Sequence, residues 1–284
     1  MPGKIAACVV LYNPEQSVEQ NISSYINYVD KIYVMDNTET KDYNYRFLSV
    51  YQSEIIFIHN GKNEGVAKCL NEACNLSIKD GFDYLLTMDQ DSYFDESSIA
   101  RYFQCIENFD KYERVAMFGI NYQYQTQKEN CDFKKAKSFI TSGSVINLSC
   151  FKTIGEFNEN LFIDFVDTEY CFRSIQQGYE IIEFPNIFMH HEIGELSEQR
   201  SFKNLKSSKR SIHSVIRLYY MSRNFLYLNK KYKNLFSEQL QIHRKDLINR
   251  VKNKLLYHPN RYKTFQYLLK AFRDYKRNRM GKQL

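Results

Sequence analysis

Four apolar runs in the first third of the chain each end in a polar residue. Between them, apolar positions recur at helical spacing. The first run, residues 4–11, stops at Tyr12-Asn13-Pro14. The second, Lys31 to Met35, ends at Asp36-Asn37, and the third, Ile55 to Ile58, exits at His59-Asn60-Gly61. The fourth, Tyr84 to Met88, opens into Asp89-Gln90-Asp91-Ser92. Pro14 to about Tyr28 predicts a helix with Val18, Ile22, Tyr25 and Ile26 on one face. Gly65 to about Lys79 predicts another, carrying Val66, Leu70, Ala73 and Cys74. This alternation predicts an α/β domain with a mostly parallel, Rossmann-like sheet and flanking helices, residues 4–91 forming a nucleotide-binding half.

Beyond Asp91 the expected elements are a helix at about Ser97–Asn108 and a strand at Val115–Tyr122. A polar loop over 125–137, a strand at Ser138–Leu148 and a helix at Tyr170–Gln177 follow. Two further strands are read at Tyr179–Phe184 and Ile187–Met189. From about Ser211 the chain reads as three helical pieces, the last two at about 239–256 and 262–277. The expected division is a domain over 1–210 and a basic C-terminal helical extension over 211–284. Residues 192–210, rich in Glu, Ser and Lys, are the candidate for a closing loop.

Charge sharpens this division. The net charge is +6, but from Glu198 onward there are 23 Lys and Arg against 4 Asp and Glu, about +19. Residues 1–197 hold the balance, about −13. An acidic body with a basic tail suits a protein held against an anionic membrane surface, and a solvated Lys-rich helical appendage is the alternative. The same tail could form a homodimer interface. Tyr 23 and Phe 21 against Gly 10 and Pro 4 argue against disorder. No recognised motif supports nucleic-acid binding, and the acidic front half opposes it. The run Ile5 to Leu11 is too short to span a bilayer, so a cytoplasmic protein is expected, associated with the inner face of the plasma membrane if the tail binds there. The seven cysteines form no Cys-x-x-Cys pair and read as reduced core residues rather than disulfides.

Asp89 and Asp91, one residue apart at a strand end, would repel each other unless a cation offsets them. Oxygen ligands suit Mg²⁺ or Mn²⁺, which usually share their shell with substrate phosphates. Further along, residues 162–173 pack Asp164, Asp167, Glu169 and Arg173 into a short loop-to-helix segment. Glu169 and Arg173 read there as an i,i+4 pair.

Taken in order, these residues resemble family 2 glycosyltransferases of the rhamnosyltransferase-like branch. The resemblance rests on residues 9–14 (Val-Val-Leu-Tyr-Asn-Pro), Asp36-Asn37, Asn63-Glu64-Gly65-Val66-Ala67 and Asp89-Gln90-Asp91-Ser92. It continues through Ser142-Gly143, Phe162-Ile163-Asp164, Val166-Asp167-Thr168-Glu169, and His191 with Gly194-Glu195. It implies a GT-A fold and metal-dependent, inverting transfer of a sugar from a nucleotide diphosphate. By the same match Tyr12, Asp36, Asn63, Gly65 and Asp89 would line the donor site. Apart from that match, Arg223, in Tyr219-Tyr220-Met221-Ser222-Arg223-Asn224, reads either as a surface or helix-packing Arg or as a bidentate clamp on phosphate. Asp91 and His191 would hold the divalent ion, and Asp167 would be the general base. Ser142, Gly143 and Asp164 would lie on the acceptor side, Asp164 being the alternative base. The family's usual Glu-Asp pair is here Val166-Asp167.

The implied substrates are dTDP-rhamnose and a glycan or lipid-linked acceptor of bacterial surface polysaccharide synthesis. A UDP-hexose donor and a non-catalytic sugar-nucleotide binder are the alternatives. A nucleotidyltransferase would carry a Gly-rich phosphate loop after its first strand, where this chain has Tyr12-Asn13-Pro14-Glu15.

Overall fold

The computed structural model describes residues 3–40, 54–122, 130–191, 196–200, 207–211, 214–257 and 260–283. They form two compact units. One comprises Met1–Glu159 with Val166–His191, the other Asn160–Phe165 with Glu192–Leu284. The break thus falls at His191, earlier than residue 210, and a six-residue segment before Val166 joins the second unit.

The first unit is built on an eight-stranded sheet of order β3-β2-β1-β4-β8-β6-β9-β7. Its strands are β1 (Ile5–Leu11), β2 (Lys31–Asp36), β3 (Ile55–His59), β4 (Tyr84–Asp89), β6 (Val115–Asn121), β7 (Lys134–Lys135), β8 (Ser144–Asn147) and β9 (Glu180–Phe188). β1 pairs in parallel with both β2 and β4, and β2 with β3. β8 runs antiparallel between β4 and β6, so the sheet is mixed but mostly parallel. The apolar runs of β1, β2 and β4 form strands because both faces are covered, as expected of parallel strands, whereas β3 at the sheet edge leaves Ile56 and Phe57 exposed. Ala6, Ala7, Cys8, Leu85 and Leu86 have no solvent exposure. A two-stranded ribbon of β5 (Ser92–Tyr93) and β10 (His190–His191) lies outside the main sheet.

Among the described residues, the α-helices of this unit are α1 (Val18–Ser23), α2 (Val66–Lys79), α3 (Glu96–Glu107), α4 (Leu148–Ile154) and α5 (Val166–Gln176). Several differ from expectation. The helix expected from Pro14 to Tyr28 is only α1 followed by a 3₁₀ turn at Ile26–Tyr28. Ser23 and Ser24 donate their hydroxyls to backbone carbonyls three residues back, competing with helix propagation. The strand expected to reach Leu148 stops at Asn147, whose side chain caps α4 by accepting from Ser149 and Cys150 N–H. The two strands expected around residues 179–189 are one strand, β9.

The cysteine expectation also needs correction. Cys105 and Cys131 are disulfide-bonded, their Cα atoms 5.4 Å apart. They are 26 residues apart, so only the fold brings them together. The other five cysteines are free and buried.

In the second unit, α6 (Val215–Tyr232), α7 (Ser237–Tyr257) and α8 (Arg261–Lys276) realise the three expected helices. β11 (Leu196–Arg200) and β12 (Ser207–Ser211) form a hairpin within the expected closing loop. The rest of that loop, with Gly194 and Glu195, lies outside the described residues. No described helix is long and apolar enough to cross a membrane.

Candidate donor and metal site

β2 and β3 lie to one side of β1 and β4 to the other, so the strand order reverses between β1 and β4. In open α/β sheets the crevice beyond the carboxyl ends of strands at such a switch point takes the ligand. Register places Asp89 beside Val10, Asp36 beside Leu11 and His59 beside Asp36, so the polar strand ends share one rim.

Hydrogen bonds knit this rim together. Tyr12 N–H donates to Gln90 Oε1 at 2.7 Å and Asn13 N–H to Thr38 Oγ1 at 2.9 Å. Asp36 is buried and accepts from Thr38 N–H at 2.9 Å, with His59 Nε2 3.9 Å from its other oxygen. Asn37 Oδ1 accepts from Glu64 N–H, and Asn63 Oδ1 from Gly65 N–H, each at 3.1 Å. Gly65, with φ +89°, turns the chain into α2. Tyr12 stays exposed at the rim.

Asp89, Asp91 and His191 converge there, each offering a ligand atom within 4.8 Å of the others. Two carboxylates and an imidazole fit Mn²⁺ or Mg²⁺ and leave coordination positions for substrate oxygens. Ribbon pairing sets His191 opposite Ser92, and the side chains of adjacent strand residues point to opposite faces. His191 Nδ1 therefore meets Ser92 Oγ at 2.8 Å and Asp91 Oδ1 at 3.4 Å. His190 turns away to stack on Tyr93 and reach Asp95 at 3.1 Å.

Ser142 and Gly143 brace the same loop. Ser142 Oγ accepts from Asp89 N–H at 3.0 Å and donates to Ser92 Oγ at 2.8 Å. Gly143, at φ +72°, donates its N–H to Thr87 O at 2.8 Å. A Cβ there would stand 2.8 Å from Met189 Sδ. Ser92, Gln90, Thr38 and His59 thus support the site although none is marked by the sequence pattern as a site residue. Gln90 and Ser92 flank marked aspartates in the chain, and His59 ends a predicted strand, which were the available signals.

Asp167 opens α5, half-buried, and its Oδ1 accepts from Thr168 N–H at 2.7 Å. Glu169 and Arg173 pair at 3.2 Å, and Arg173 also donates to the carbonyls of Ile154, Gly155 and Glu156, holding α4 to α5. Asp164 belongs to the second unit, where Oδ1 pairs with Arg217 Nε at 3.2 Å and Oδ2 is buried without a hydrogen-bond partner among the described residues. Burial raises its pKa above the ordinary carboxylate value, against the opposing pull of Arg217.

The sequence of Glycosyl transferase family 2 members matches this chain over residues 6–165, more than half its length. The chain belongs to that family. It is 28% identical over 254 residues to "dTDP-rhamnosyl transferase RfbF" of Shigella flexneri, covering 82% of each protein. The fold is similar to GalNAc-T7 crystallised with UDP, GalNAc and Mn²⁺, at TM-score 0.56 and 11% identity, covering 87% of this chain and 55% of that one. It is also similar to S. aureus TarS residues 1–349, at TM-score 0.50 and 14% identity, covering 97% and 92%. The first unit of this family 2 glycosyltransferase is accordingly a GT-A fold, and the chain is an enzyme of glycosyl transfer.

Of the two readings of Arg223, the geometry matches the helix-packing one. Arg223 is 1% exposed, in the second unit, with its guanidinium 5.4 and 5.1 Å from the ring centroids of Tyr219 and Tyr220. It donates to the carbonyls of Gly281 (2.8 Å), Asn160 (3.3 Å) and Leu161 (3.4 Å). Beside it, Asn224 Nδ2 donates to the carbonyls of Leu161, Ile163 and Asp164 at 2.8–3.0 Å. These bonds secure a segment with three non-glycine residues at positive φ: Phe162, Asp164 and Phe165. A guanidinium so enclosed is no phosphate clamp. The Arg inside a Tyr-rich helix faces inward because the 160–165 carbonyls need donors.

Proposed function

We propose that this enzyme transfers rhamnose from dTDP-rhamnose to a glycan or lipid-linked acceptor with inversion, in bacterial surface polysaccharide synthesis. The convergence of Asp89, Asp91 and His191 at the switch point carries the reading. The relationship to RfbF supports the donor.

In this reading Tyr12 and Asp36 receive the base and ribose, and Asn63 and Gly65 shape the rim beside them. Asp89, Asp91 and His191 hold the divalent ion, which, when bound, neutralises charge on the diphosphate leaving group. Asp167 is the base: its carboxylate takes the proton of the acceptor hydroxyl as that oxygen attacks the anomeric carbon. The bond from that carbon to the diphosphate oxygen breaks, and the nucleoside diphosphate departs with the electron pair. A carboxylate in hydrogen-bond reach contributes about 10²–10⁴-fold to such a step. Asp167 is preferred to Asp164 because Asp164 is already committed to Arg217.

The test is calorimetric titration of the full chain with dTDP, UDP and GDP, with and without Mn²⁺, beside Asp91→Asn. Metal-dependent binding that favours dTDP and is lost in the variant is expected. A preference for UDP would move the donor to a UDP-hexose. Absence of metal-dependent binding to any of the three would overturn the reading.

A further inference from the structure

Helix α8 presents two apolar faces with different fates. Inward, Ala271 packs with Tyr219 and Tyr220, and Asp274 Oδ2 accepts from the Tyr219 hydroxyl at 2.8 Å. Outward, Tyr262, Phe265, Leu269 and Phe272 are 76%, 55%, 47% and 49% exposed. At 3.6 residues per turn, positions spaced three, four and three apart fall on one stripe. Single exposed apolar residues are ordinary, but four large ones aligned on one helix mark an interaction surface.

Cations flank that stripe. Arg261, Lys263, Arg273, Lys276 and Arg277 are exposed, and Lys276 Nζ lies 5.5 Å from the Phe272 ring centroid. The helix has one acid, Asp274, and it faces inward. We propose that this face of α8 docks on an anionic lipid surface. Apolar side chains would enter the headgroup boundary while the flanking Lys and Arg meet lipid phosphates, the arrangement of a helix lying in the interface plane. Tyr262 and Phe265 stand where aromatic rings anchor to headgroups. A two-fold dimer through the same face would set this patch against itself, bringing like charges together with no acid to offset them. Charge complementarity therefore selects the lipid. None of the donor-site residues lies on α8, so the inference is independent of the transfer reaction.

The experiment is flotation of the full chain with vesicles of phosphatidylcholine, alone or mixed with phosphatidylglycerol, at low and high salt. Two variants accompany it: Phe265→Ser with Phe272→Ser, and Lys263→Glu with Arg273→Glu. Wild-type binding to the mixed vesicles, weakened by salt, and loss of at least about tenfold in each variant are expected. All four side chains are exposed, Phe272 at 49%, and retention of the fold is checked by far-ultraviolet circular dichroism and unchanged nucleotide titration. If the apolar variant fails to fold, the charge variant and the salt series carry the test. Equal binding to both vesicle types, or variants that float like wild type, would overturn the proposal. So would a wild-type dimer that the apolar variant converts to monomer while neither binds vesicles.

Discussion

Ser142 donates its hydroxyl proton to Ser92 across 2.8 Å, and this buried pair ties the acidic loop to the ribbon that carries His191. The same Ser142 oxygen accepts the Asp89 N–H, and Ser92 Oγ touches both His191 and Asp91. Ser142→Ala removes the hydroxyl that accepts the Asp89 N–H and donates to Ser92, and should lower stability by about 1–3 kcal/mol, read by urea unfolding. Ser92→Ala should weaken Mn²⁺-dependent nucleotide binding by about 10–100-fold, the range for partners of metal ligands, read by titration at varied Mn²⁺.

Asp91→Asn and Asp167→Asn should fail differently. The first removes a charged ligand, so Mn²⁺-dependent nucleotide binding disappears. The second leaves that binding intact and lowers sugar transfer by about 10²–10⁴-fold. Equal loss of nucleotide binding in both would remove Asp167 from the role of base.

Arg223→Met should lower the melting temperature, because the carbonyls of Asn160 and Leu161 in the 160–165 segment and that of Gly281 lose a charged donor, at about 1.5–3 kcal/mol per such bond. Nucleotide affinity should be unchanged. A selective fall in nucleotide affinity at constant stability would restore the phosphate-clamp role.

Gly143→Ala meets two obstacles: φ +72° and the 2.8 Å approach to Met189 Sδ. A destabilisation of about 1–3 kcal/mol is expected from the strained backbone alone. Denaturant unfolding would measure it, and an unchanged midpoint would show that Met189 and the turn both relax freely.

His243 is partly buried, its ring centroid 5.3 Å from that of Phe165 in an edge-to-face arrangement, and burial lowers its pKa below the ordinary 6.5 despite the opposing Asp246. The unfolded chain therefore takes up this proton at a higher pH than the folded one. Its contribution favours folding above pH 6.5 and is lost as pH falls from there through the folded-state pKa. His243→Gln should flatten the loss of stability on acidification, seen by comparing urea midpoints at pH 7.5 and 5.0.

The front of the fold was legible because strands β1 to β4 are continuous apolar runs ending in Asn, Asp or His. A buried parallel strand leaves that imprint whatever packs on it. α4 was not, since residues 144–151 are nearly all small or apolar and fit a strand or a helix equally. Only the side chain of Asn147, capping in place, decides between them. Asp89 and Asp91 stand out by mutual repulsion, and Ser142 through the family resemblance, but the role of Ser92 becomes meaningful only through partners 50 and 99 residues away. Arg223 and the Cys105–Cys131 bond share that limit. A side chain's direction and a long-range pairing are properties of packing, which local pattern does not encode.

Because β10 delivers His191 to a loop formed a hundred residues earlier, the Asp89, Asp91 and His191 cluster is complete only once the first unit's fold is. The family match ends at residue 165, before β9 and β10. A fragment stopping there would keep both aspartates yet lack the imidazole that joins them and the strand beside β6. Ligand that binds only the finished arrangement pulls folding forward by mass action, so nucleotide with Mn²⁺ would raise the unfolding midpoint of the full chain and leave the fragment unaffected.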